Sequence, residues 1–300
     1  MMSTVQEVSG SYKIAAKVKD YFQLIKFTLS FTVVFSCVIC YLLAPGITYN
    51  LKMVILLFAA GMLITGAANA INQAVEKDTD AIMKRTSKRP VANGRMSQSE
   101  AYTFAIIAGI AGVLIMWHFF NLPAAVLSAF SLFIYAYIYT PLKKINSIAV
   151  LIGAFPGALP CLIGWVAGTG EFSMGGFVLF AIQFLWQFPH FWAIAWVSHN
   201  DYSKAGFKLL PSDKGPTKFT AMQAIIYSLL MIPCGIFPYY FGIAGIVSLL
   251  VVTLCNVFML VQCVRLYVQL DVRAAKRVMF SSYIYLPVVL LSLLVDKING

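Results

Sequence analysis

The feature that most constrains this chain is the recurrence of apolar runs long enough to cross a bilayer. A helical span of ~30 Å of hydrocarbon needs about 20 residues, and nine such runs occur, at about 23–44, 51–72, 101–120, 122–140, 147–168, 174–197, 219–240, 242–264 and 278–295. Backbone groups inside lipid must be satisfied within a helix or a closed barrel. The ~10-residue alternating strands of a barrel are absent, so the runs predict an all-α polytopic membrane protein, a bundle of nine transmembrane helices. Composition agrees, because 11% of the 300 residues are charged and 60% are hydrophobic, against roughly a quarter charged in a soluble domain.

The cations test this topology independently. With a cytoplasmic N-terminus, the inner segments hold Lys13, Lys17, Lys19 and Lys26, the six cations from Lys77 to Arg95, Lys143 and Lys144, Lys204, Lys208, Lys214 and Lys218, and Arg265, Arg273, Lys276 and Arg277, leaving Lys52 and Lys297 outside. That split of 20 to 2 follows the positive-inside rule and would scramble if one span were miscounted. The net charge of +11 thus reports topology and anionic lipid. It gives no support to a nucleic-acid partner, since the aromatics lie within the spans and are not interleaved with a basic patch. The first 20 residues carry Glu7 and Asp20, lack an Arg-rich amphipathic pattern and lead into a full span, so neither a transit peptide nor a cleavable signal is expected. A bacterial inner membrane is the default location. All six cysteines sit in apolar stretches, and Cys37-Val-Ile-Cys40, with no His or acid nearby, reads as packing.

Function is expected in the polar segments. One domain over 1–300 is predicted, with an N-terminal cytoplasmic segment, 1–22, and two long inner loops, 73–100 and 198–218, that mix acids with bases. If the second span continues as helix, Asn72, Glu76 and Asp80 share one face, drifting ~40° per step. Oxygen ligands of this kind suit a hard cation such as Mg²⁺, which takes further ligands from water and phosphate. The competing reading is a solvated helix end whose acids pair with Lys77, Lys84 or Arg85. Lys84, Arg85, Lys88 and Arg89 follow at once, and a metal beside guanidinium groups is a way to hold a diphosphate. Asp201, in His199-Asn-Asp-Tyr-Ser-Lys-Ala-Gly206, follows the sixth span as Glu76 and Asp80 follow the second. Two acidic helix ends facing one another would clamp two metals around one diphosphate.

These residues carry a family resemblance. Asn72-x-x-x-Glu76-x-x-x-Asp80 with Met83, Arg85-Thr86 and Arg89-Pro90 resembles the first acidic motif of the UbiA-type intramembrane prenyltransferases. Tyr139-Thr-Pro-Leu-Lys143-Lys144, Gly153-Ala-Phe-Pro156-Gly-Ala-Leu-Pro160 and Gly164-Trp165 resemble the central segment, and Trp186-Gln-Phe-Pro-His190-Phe-Trp-Ala193 with Asp201-Tyr202-x-x-Ala205-Gly206-x-x-x-Leu210-Pro211 the second motif, of the protoheme IX farnesyltransferase (heme O synthase) branch. The similarity runs over about 24–295. Phe27 stands where Pro often follows the first-span Lys, Cys161 where Pro is common, and Glu76 where Asp is more usual. Ala205 replaces the second Asp of other UbiA-type enzymes, and His199-Asn200 replaces the basic residue often found before Asp201.

The resemblance implies farnesyl transfer from farnesyl diphosphate to a vinyl group of heme b, with Mg²⁺, on the cytoplasmic side of the membrane. The product, heme O, would pass to a heme A synthase or to terminal oxidase assembly. It implies Asn72, Glu76, Asp80 and Asp201 for metal, and Lys26, Lys84, Arg85 and Arg89 for diphosphate. Tyr139 and Lys143, one turn apart, would close over the reacting carbon; an interfacial anchor pair is the other reading. His190, after Pro189, would contact heme iron or a propionate; it also reads as a helix-bonded polar residue at a proline kink. Tyr102, Tyr135, Tyr139, Trp165 and Trp186 are candidates to face an allylic cation. His118 falls at the outer mouth of the third span, and Arg273, Lys276 and Arg277 mark topology. Two rivals remain: a UbiA-type enzyme acting on an aromatic acid or quinone precursor, and a secondary transporter, which should show midplane sites and inverted repeats.

Overall fold

A computed structural model describes residues 14–212 and 214–298; Lys13 and most of the expected N-terminal segment 1–22 lie outside them. Among the described residues, eight helices are long and apolar enough to span a membrane by themselves, and a bent pair, α1 (Ile14–Leu24) and α2 (Phe27–Leu43), meeting at 51°, makes a ninth when counted as one span. The others are α3 (Leu51–Val75), α5 (Gln98–Phe119), α6 (Leu122–Phe133) running through a π-helical turn (Ile134–Tyr139) into α7 (Thr140–Leu142), α8 (Ala149–Thr169), α9 (Met174–Val197), α11 (Lys218–Cys234) with α12 (Phe237–Tyr240), α13 (Ile246–Gln269) and α14 (Val272–Val295). Two short helices, α4 (Lys77–Ile82) and α10 (His199–Lys204), follow α3 and α9. Among the described residues there is no strand, only an isolated bridge between Ala244 and Lys297. The all-α, multi-span expectation holds, with eight spans or nine as the bent pair is counted, and the chain is a multi-pass membrane protein. The helix ahead of α2 begins earlier than the apolar run, because Lys17 and Asp20 on α1 pair with Glu100 and Arg95.

Helix α8 is the spine, 78% buried across its apolar window. It packs on α2, α6 and α9. Small residues allow this, since interfaces inside lipid depend on close backbone approach. A side chain at Gly164 would collide with the backbone of Cys37, one at Gly157 with the Gln187 amide, and one at Gly153 with the Tyr139 ring. The charged helix ends α4 and α10 gather at the Lys- and Arg-rich end of the bundle, over a cavity of about 800 Å³ between α2, α3, α8, α9 and α14.

Candidate active site

The first acidic motif begins on α3. Its geometry breaks at Glu76 (φ −93°, ψ 14°), yet the hydrogen-bond ladder continues: Glu76 N–H donates to Asn72 O at 3.0 Å and Asp80 N–H to Glu76 O at 2.7 Å. Asn72, Glu76 and Asp80 therefore share a face, as the spacing predicts, and all three line the cavity. Both acids are deeply buried, Glu76 at 5% and Asp80 at 1% exposure. Buried carboxylates need partners. Glu76 pairs with Lys143, and Asp80 receives Arg89 Nη1 at 2.9 and 2.7 Å.

Those pairings correct the solvated-helix reading, in which the acids turn to Lys77, Lys84 or Arg85. The chain after α4 folds back in turns. Thr86 Oγ1 donates to Asp80 O at 2.9 Å, and Arg95 ties the loop to α1 through Asp20 Oδ1 at 2.9 Å and Gln23 Oε1 at 3.0 Å. This hook carries Arg89 back over Asp80. Lys84 stays exposed and off the cavity wall.

Lys26 reaches the same point from the bend between α1 and α2. Its backbone is left-handed (φ 48°), a strained conformation for a residue other than glycine, and α3 holds it. Gln73 Nε2 donates to Gln23 O and Leu24 O, both at 2.9 Å, and Asn69 Nδ2 to Ile25 O at 3.2 Å. Lys26 Nζ then donates to Asn72 Oδ1 at 2.8 Å.

Lys143 arrives from the π-turn. Its Nζ lies 4.9 Å from the Tyr139 ring centre and 5.3 Å from that of Phe207. Burial pushes its ammonium below the usual lysine value, and Glu76 opposes the shift. Tyr139 and Lys143 are thus brought together on the wall, with Tyr135 beside them at 5.3 Å between ring centres.

The second loop covers this head. Lys208 N–H donates to Lys143 O at 2.8 Å, and Arg85 Nη2 donates to the Tyr202 hydroxyl at 3.0 Å. Burial raises the Tyr202 phenol above its ordinary value, against the nearby Arg85 and Arg89. Asp201 is half-buried on α10, one residue away from the wall, with no side-chain partner among the described residues. Successive helical residues diverge by ~100°, so Tyr202 faces the cavity and Asp201 does not. Sequence reasoning gave Tyr202 no role.

Deeper in, Trp186 and His190 line the cavity with Tyr283 of α14. His190 Nδ1 lies 2.7 Å from Ser282 Oγ. Tyr102 faces outward, and Trp165 is buried with its Nε1 donating to Ser173 Oγ at 2.7 Å. His118 packs on Phe119 away from the cavity.

The charged side chains on the wall are Lys26, Arg85, Arg89 and Lys143 against Glu76 and Asp80, an excess of cations suited to a polyanion. Among the described residues, no three His, Cys, Asp or Glu side chains close a metal cage. Two carboxylates and an amide oxygen instead make an open, hard-oxygen set. That fits Mg²⁺, which keeps waters and completes its shell on phosphate.

Comparisons with known proteins give the family and the fold. Residues 33–284 match the model of the UbiA prenyltransferase family. A protoheme IX farnesyltransferase of Cytophaga hutchinsonii is 45% identical over 95% of this chain and 100% of its own length. The protein of that name from Flavobacterium psychrophilum is 42% identical, covering 93% and 94%. The solved structure of a digeranylgeranylglyceryl phosphate synthase superposes with a TM-score of 0.79 at 23% identity, over 95% of this chain and 100% of that one. A UbiA homologue from Archaeoglobus fulgidus, bound to GPP and Mg²⁺, superposes at 0.69 with 14% identity, over 91% and 99%. The chain belongs to the UbiA prenyltransferase family.

Proposed function

We propose that this chain transfers the farnesyl group of farnesyl diphosphate to a vinyl group of heme b, giving heme O and diphosphate. The observation that carries this reading is a single cavity with a cationic, carboxylate-bearing head, a largely apolar interior and an aromatic wall that bears an imidazole. An amphiphilic diphosphate fits the first two parts, and a flat iron macrocycle fits the third. The relatives named protoheme IX farnesyltransferase support the choice of acceptor. The acidic end faces the cytoplasm of a bacterial inner membrane, because the Lys- and Arg-rich segments converge there.

Lys26, Arg85 and Arg89 would bind the diphosphate, and Lys143 would follow the charge that gathers on it as the allylic C–O bond breaks. Asn72, Glu76 and Asp80 would hold Mg²⁺, and Asp201, which points off the wall, would act on the ion only through water; the ion would neutralise the leaving group. Tyr135 and Tyr139, both on the wall, would flank the carbocation and keep the reacting carbon dry. The vinyl group supplies the electron pair for the new C–C bond. Water adds to the resulting cation and its proton leaves to solvent. His190 contacts the heme.

Purified protein supplied with heme b, farnesyl diphosphate and Mg²⁺ should accumulate a more hydrophobic heme of heme O mass on extraction. A prenylated quinone precursor and unchanged heme in a mixed-acceptor assay would refute the assignment.

A further inference from the structure

Ser282 lies on the last span, in no motif that the sequence singles out, yet it joins two cavity-lining residues of α9. Its hydroxyl oxygen is 2.6 Å from Met279 O and 2.7 Å from His190 Nδ1, and its carbonyl accepts from Trp186 Nε1 at 3.0 Å. A serine hydroxyl has one proton, and a carbonyl oxygen can only accept. Both contacts can be hydrogen bonds only when that proton goes to Met279 O. The contact with His190 then takes its proton from the ring, so Nδ1–H donates to Ser282 Oγ. In a neutral imidazole this leaves a lone pair on Nε2. Among the described residues, no hydrogen-bond partner reaches Nε2. The ring is held stacked on Trp186, with centres 4.6 Å apart and planes at 20°, and edge-on to Tyr283 at 5.4 Å.

We propose that Ser282 is a positioning residue for the acceptor: it fixes His190 as the Nδ1–H tautomer and directs the Nε2 lone pair to the heme iron, and not to a propionate. This rests on the heme reading of the cavity. A propionate is itself an electron-pair donor and would need an N–H opposite it, whereas iron is an electron-pair acceptor that imidazole suits. A hydrogen bond on the nitrogen away from the metal also fixes ring orientation and raises ligand basicity. Ser282 would thus set how the macrocycle sits before any prenyl donor arrives.

The test is a titration of the purified protein with heme b in the absence of farnesyl diphosphate, following the Soret band, for the parent, Ser282→Ala, Ser282→Thr and His190→Ala. The parent should give an imidazole-ligated spectrum that His190→Ala lacks. Ser282→Ala should bind heme about 10-fold more weakly and shift its spectrum toward that of His190→Ala, as loss of an outer-shell partner does. In turnover, its KM for heme should rise while its KM for farnesyl diphosphate stays put. Ser282→Thr keeps the hydroxyl and should return the spectrum to the imidazole-ligated form of the parent, with heme bound more tightly than in Ser282→Ala. Parental affinity and spectrum in Ser282→Ala, or equal damage in Ser282→Thr, would overturn the inference. So would a heme spectrum indifferent to His190 in a parent that still makes heme O, and that result leaves the transfer reaction standing. A parent that makes no prenylated heme would overturn the functional reading beneath it.

Discussion

The two charged helix ends that cover the cavity look like a matched pair in the sequence and are used differently in the structure. After α3, the acids are buried on the wall and each is already neutralised, Glu76 by Lys143 and Asp80 by Arg89. After α9, the acid stands outside the wall without a side-chain partner among the described residues, and its neighbour Tyr202 faces in to meet Arg85. The first end is a charge-balanced cradle. The second is a cover that contributes a hydroxyl, an aromatic ring and one free carboxylate. An acidic residue after a span therefore reveals little until the direction of its side chain is known.

Experiments can separate the two ends. Chelating divalent ions should bring turnover to background, with Mg²⁺ restoring it; full activity in a chelator would remove the reason for the carboxylates altogether. Glu76→Gln and Asp80→Asn should each lower kcat by about 10²–10³-fold, the scale seen when one group stabilising transition-state charge is lost. Asp201→Asn should act mainly on the metal, raising the Mg²⁺ concentration for half-activity about 10-fold while kcat at saturating Mg²⁺ changes little. If it matches Glu76→Gln in kcat, the ends are equivalent and the contrast fails. Tyr202→Phe removes the charge-assisted hydrogen bond that Arg85 donates and should cost about 10-fold in kcat/KM. A loss as large as that of the acid variants would give the cover a direct part in the chemistry.

How much of this was legible beforehand depends on how far apart the interacting residues lie in the chain. The spans are legible because a hydrocarbon slab imposes a length and a composition that each segment satisfies alone. The shared face of Asn72, Glu76 and Asp80 is legible because helical periodicity is local. The partners of those acids are not. The chain supplies Lys143 from the end of another span and Arg89 through a backbone hook, while the nearby Lys84 points away. The bend at Lys26 is also hidden, since Asn69 and Gln73 of α3 hold it in place. Ser282 carries no signal at all: a hydroxyl among apolar residues ordinarily bonds its own helix, and Ser282 does so as well.

The π-turn at Ile134–Tyr139 has a further implication. A segment of this kind behaves as one residue too many for an α-helix, so deleting a residue within it would let the span relax to ordinary winding. The helix downstream would keep its phase, because the wide turn already absorbs the extra residue, but the turn itself would lose the winding that sets both Tyr135 and Tyr139 on the cavity wall. In this molecule the placing of two aromatic rings is stored as a miscount in a helix, and a frame-preserving deletion of one codon would erase it.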